Sequence, residues 1–98
     1  MADTNFTRFP GGELITKGLA DLRNGVSSDE ALLVHIASPR LKSLGIDIPV
    51  LPEAKRPVEH QLFESLERAD EAGAYGLYNS LIARAVSFAN AYSLSRKV

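Results

Sequence analysis

Cysteine is absent from the 98-residue chain. That excludes disulfides, thiolate metal sites and a cysteine nucleophile. Neither sign of charge is in excess: 11 basic and 12 acidic residues leave a net charge of -1. The balance argues against a strongly basic nucleic-acid binder and against an acidic tail protein. No apolar run approaches the ~20 residues of a membrane span, and the first residues lack an apolar signal-peptide region. Internal repeats, low-complexity tracts and strand-like alternation are missing as well. These absences predict a cytoplasmic protein with no membrane association.

What is present is enough to fold. Leu, Ile, Val and Phe supply 28 of the 98 residues, well above the ~20% below which chains stay disordered. A single domain over 1–98 is expected at this length. The apolar spacing is helical throughout, which predicts an all-α bundle of about five helices.

Residues 1–10 read as an extended arm carrying two apolar hooks, Phe6 and Phe9. A first helix over 12–23 follows from Leu14, Ile15, Gly18, Leu19 and Leu22 on one stripe, closed by Asn24-Gly25. Gly18 lies within that stripe and costs roughly 1 kcal/mol against alanine; close approach by another helix would justify it. Ser27 and Glu30 stand at capping-box spacing and start a second helix, apolar nearly all round, over Ala31, Leu32, Leu33, Val34, Ile36 and Ala37. Ser38-Pro39 is expected to break it and open a short third helix ending at Gly45. Residues 46–57 hold prolines at 49, 52 and 57 and read as a connector lying along the domain. A helix from about 57 to 72 and another from about 76 to 95, separated by Gly73 and Gly76, should form an antiparallel hairpin.

Charge is segregated along the chain. Residues 53–72 hold six acids and three bases, whereas 73–98 hold three bases and no acid. Opposite signs favour pairing of the last two helices, although each exposed ion pair adds at most about 1 kcal/mol. Between Glu71 and Arg96 the sole charged residue is Arg84. Opposite the apolar stripe of the last helix stand Asn79, Ser80, Ala83, Ser87, Asn90 and Ala91. Such small uncharged residues permit close backbone approach. Either this helix is central in its own bundle, or its second face meets another subunit. The second account is favoured, with Asn79, Ala83, Ser87, Asn90 and Ala91 as interface residues of a homodimer or a protein complex.

Chemistry-bearing groups do not converge. His35 lies inside the apolar second helix and reads as a core or boundary histidine; His60 reads as a surface residue. No metal-ligand spacing, catalytic constellation or cofactor motif is found, which points away from an enzyme. Pro10-Gly11-Gly12 opens a helix but lacks the lysine of a phosphate loop. Pro49-Val50-Leu51-Pro52 fits PxxP, a pattern common by chance. Two alternatives to a protein-interaction or regulatory module stay open. One is a small-ligand or anion site around Arg84, Tyr78 and His60, since a lone guanidinium can grip a carboxylate or phosphate. The other is nucleic-acid binding through Arg40, Lys42, Lys55 and Arg56, with the segment about Ser38-Pro39 as a helix-turn-helix; its short second helix and the neutral net charge argue against it.

Overall fold

The computed structural model describes residues 6–49 and 57–96. Four α-helices make up the regular structure of these residues: α1 (Gly12–Arg23), α2 (Asp29–Ser43), α3 (Val58–Ala69) and α4 (Ala74–Arg96). The all-α reading holds, with four helices in place of about five. Helices α2 and α4 each pack against the other three, whereas the backbones of α1 and α3 do not approach one another closely.

Two apolar clusters share the middle pair. Phe6, Ile15, Leu19, Val34, Leu41, Ile46 and Phe88 form one, between the arm, α1, α2 and the C-terminal half of α4. Leu33, Leu62, Leu66, Ala74 and Ala85 form the other, between α2, α3 and the N-terminal half of α4. Adjacent residues on a helix point about 100° apart, so Leu33 and Val34 feed different clusters. This explains why α2 is apolar nearly all round.

Pro39 does not break α2 but sits inside it. Proline in a helix interior forfeits one hydrogen bond and crowds the preceding turn, at about 3 kcal/mol. Here its ring is exposed, while Val34, Ser38 and Leu41 are buried at i, i+4 and i+7. Only an unbroken helix keeps Leu41 on that line. The turn that a helix-turn-helix would need is therefore absent. Beyond Ser43, Gly45 takes φ 85°; its N–H donates to the Lys42 carbonyl and that of Ile46 to the Leu41 carbonyl. Ile46 and Leu41 then meet in the same cluster, closing a Schellman motif.

The arm also departs from expectation. Phe6 and Phe9 do pack on the domain, but through successive turns: Phe9 N–H donates to the Phe6 carbonyl and Gly12 N–H to the Phe9 carbonyl. Phe6 meets Phe88 and Tyr92 edge-on at 5.4 and 5.6 Å, and Phe9 meets the same two rings at 5.8 and 5.6 Å. Ile46 is buried and Ile48 packs beside it, so the start of the connector lies along the domain. Val50, Leu51, Pro52, Lys55 and Arg56 lie outside the described residues.

The N-terminus of α2 is tied to both of its flanks. Ser28, one residue later than the Ser27 expected from the capping-box spacing, is the N-cap and accepts from Ala31 N–H at 3.1 Å. Its hydroxyl donates to Asp21 Oδ2 at 2.5 Å, an oxygen that also accepts from Lys17 Nζ at 2.6 Å. Glu30 stands 3.7 Å from that ammonium instead of closing a capping box. On the other flank, Ser65 Oγ donates to Asp29 Oδ1 at 2.5 Å. Asp21, seven residues earlier on α1, holds the capping hydroxyl of Ser28 in place.

Close helix contact at Gly18 is as the sequence implied. A β-carbon there would lie 2.4 Å from the Glu30 carbonyl oxygen and 2.4 Å from Val34 Cγ2. Gly18→Ala is therefore expected to lose stability by roughly 1–3 kcal/mol through overpacking, against the ~1 kcal/mol gain that helix propensity alone would bring. Urea unfolding of the two proteins decides the sign. A second prediction follows from the clasp. The Lys17 ammonium first, then the Ser28 hydroxyl, hold the Asp21 carboxyl below its ordinary value of 3.8. Its contribution is thus present above pH 3.8 and lost as pH falls through the lowered value. The Asp21→Asn variant should be less stable at neutral pH, with the difference narrowing in acid, as followed by unfolding midpoints across a pH series.

Candidate functional site

Helix α4 spans 23 residues, about 33 Å at 1.5 Å per residue. Its inner stripe is as the spacing indicates: Ala85, Phe88 and Ala89 are buried, and Tyr78, Leu81, Ile82 and Tyr92 are half-buried. Gly76 falls within the helix and not in the turn before it. That turn, residues 70–73, is held by Asp70 Oδ1, which accepts from Gly73 N–H at 3.2 Å.

The opposite side of α4 is open in the single chain. Asn79, Ser80, Ala83, Ser87 and Asn90 are exposed, and Ala91 is half-buried. The account of α4 as a helix enclosed by its own bundle therefore fails. Asn90 is engaged within the chain: its Oδ1 accepts from an Arg40 guanidinium N–H at 3.3 Å. Around this face stand apolar side chains that the reading by small residues passed over. Val86 is 52% and Leu94 66% exposed, and Tyr75 and Leu77 also face solvent. Their signal was in the sequence, at i+3 from Ala83 and i+4 from Asn90, but only the packing shows which side of the helix lies open.

Tyr78 and His60 come together, and Arg84 does not join them. Both line a groove of about 520 Å³ between α3 and α4. Phe63 and Tyr78 meet edge-to-face at 5.9 Å on its floor, and Glu59, Glu64 and Glu67 line it too. His60 is exposed in the first turn of α3. Arg84 lies elsewhere, against the start of α1, where its carbonyl oxygen would stand 2.5 Å from a β-carbon at Gly11. Three carboxylates and no arginine make the groove hostile to anions. A second groove, of about 220 Å³, runs between α2 and α4 and is lined by Ile36, Arg40, Ile82 and Val86 among others. Among the described residues no three His, Asp or Glu side chains are grouped to hold a metal ion, and no helix is long and apolar enough to cross a membrane.

Millimolar inorganic phosphate is expected to leave the melting temperature unchanged in both the parent and Arg84→Ala. A phosphate-dependent rise that Arg84→Ala abolishes would support an anion site at that residue. No family model matches the chain, and neither a curated protein nor a solved structure matches it.

Proposed function

We propose that this protein is a protein-interaction module, regulatory or accessory in role, that acts as a homodimer through the outer face of α4. One observation carries the reading. Of the large hydrophobic side chains exposed among the described residues, Leu94 stands on the same side of α4 as Ala83 and Ser87, Val86 and Tyr75 flank that side, and Leu77 lies on the far flank. Arg84 is the one ionic residue within 74–95, so this apolar surface lacks the Lys and Glu that usually clothe a solvated helix.

Association removes that surface from water at roughly 25 cal/mol per Å² of apolar area. Ala83 and Ser87 allow a second helix to approach at the short end of the ~8–10 Å range of axial distances. A two-fold pairing brings the same patch of both copies together and closes the assembly at two.

Light scattering on a sizing column is expected to give about twice the 10.6 kDa protomer mass. Ala83→Glu should shift the particle to protomer mass while leaving the helical circular dichroism intact, since position 83 is exposed in the folded chain. Ala91 is half-buried against its own protomer, so glutamate there tests the interface less cleanly. A particle of protomer mass up to about 1 mM, the weak end of specific affinity, would overturn the reading.

A further inference from the structure

The groove between α3 and α4 joins aromatic rings to carboxylates, and among the described residues no lysine or arginine lines it. Glu59, Phe63 and Glu67 succeed one another at i, i+4 and i+8 on α3. That spacing sets each carboxylate within about 40° of Phe63 round the helix, one turn or about 6 Å to either side of it. From α4, Tyr78 meets the Phe63 ring edge to face at 5.9 Å. Tyr75 stands one turn before it at the rim and is 71% exposed. A cation seated on these rings has a carboxylate in each direction along α3.

Arg68 does not cancel this field. It is exposed and stands about 140° round α3 from Phe63 and about 100° from Glu67. Glu64 lies four residues before it and is the carboxylate that Arg68 can neutralise. Glu59 and Glu67 stay on the Phe63 side.

We infer that this groove takes an arginine side chain from an extended basic segment of a partner protein, its guanidinium laid over the Phe63–Tyr78 pair and held by Glu59 and Glu67. A guanidinium both stacks on aromatic faces and forks to carboxylates. A metal ion is a poor occupant. The acids at 59 and 67 stand about 12 Å apart along α3, and among the described residues no three ligating side chains are grouped to hold one. Openness selects a peptide over a free small molecule: Glu59, Glu67, Tyr75 and Asn79 are exposed along a groove of about 520 Å³, whereas small-molecule pockets enclose most of the ligand surface. An extended chain advances about 6.6 Å for every second residue. Its same-side residues therefore keep pace with the helical turns at 59, 63 and 67. The inference rests on the protein-interaction part of the reading above and not on the homodimer. Tyr78 lies about 140° round α4 from Ala83, so the groove floor is apart from that interface.

Fluorescence anisotropy of a fluorescein-labelled Gly-Arg-Gly-Arg-Gly-Arg-Gly peptide, at low salt, reads the site. Saturable binding is expected at or below about 1 mM protein. Glu59→Gln and Glu67→Gln should each raise Kd about threefold and Tyr75→Ala about twofold, whereas Glu13→Gln, the same loss of charge on α1, should change it by less than about 1.5-fold. All four positions are exposed in the folded chain, and circular dichroism checks that helix content is kept. Citrulline in place of arginine keeps the shape without the charge and should abolish binding; lysine, which lacks the planar fork, should weaken it about threefold. Absence of binding at 1 mM, or equal losses for Glu13→Gln and the groove variants, overturns the site. Free arginine amide competing as well as the peptide, mole for mole, overturns the partner segment as occupant. Light scattering on the same samples separates this inference from the homodimer. Dimer mass without peptide binding overturns the groove alone, and peptide binding at protomer mass overturns the homodimer alone.

Discussion

The fold depends on α2 lying against α1 so closely that no β-carbon fits at position 18. That approach carries Val34 into the cluster with Ile15, Leu19 and Phe88. It turns the neighbouring Leu33 toward α3 and α4. A helix held this tightly on one side can serve a second core on the other, and in a chain of this size one helix must serve both. The clasp at Ser28 and Asp21 fixes the same helix end against α1, and the bond from Ser65 to Asp29 fixes it against α3. Polar groups thus set the register of α2 where apolar groups supply the driving force.

The exposure of α4 follows from this arrangement. Helix α4 packs its inner stripe first against α3 and then against α1 and the aromatic arm. Four helices and a short arm leave its outer side uncovered. The sequence on that side is neither a solvated face rich in Lys and Glu nor a buried core. Small polar residues with exposed Val86 and Leu94 make a surface on which water gains few hydrogen bonds and a second helix meets few obstacles.

Charge and shape act at different ranges on such a surface. Along the chain, residues 53–72 carry an excess of acids and residues 73–98 an excess of bases. Exposed charges add little to stability, yet they discriminate among orientations because like charges brought together are costly.

Local features of the chain were legible wherever the answer was local. The span 12–23 is closed by Asn24-Gly25, residues suited to a helix end whatever surrounds them. The period of Tyr78, Ile82, Ala85, Phe88, Ala89 and Tyr92 marks the inner stripe of α4 because 3.6-residue geometry holds in any context. The helix class, the close approach at Gly18 and the packing of Phe6 and Phe9 were determined by sequence alone. What tertiary structure decided is of another kind. Pro39 stays inside α2 because burying Leu41 offsets the lost hydrogen bond, and the depth of that burial depends on residues far along the chain. Ser28 and not Ser27 is the cap, and its hydroxyl also donates to Asp21 across the turn from α1. Arg84 lies against Gly11, away from Tyr78 and His60: helix geometry alone sets it about 120° round α4 from Tyr78, and the packing of α4 decides that Tyr78 faces α3 and Arg84 the start of α1. Propensity and spacing act over a few residues, whereas these outcomes rest on contacts between segments that only the packed chain brings together.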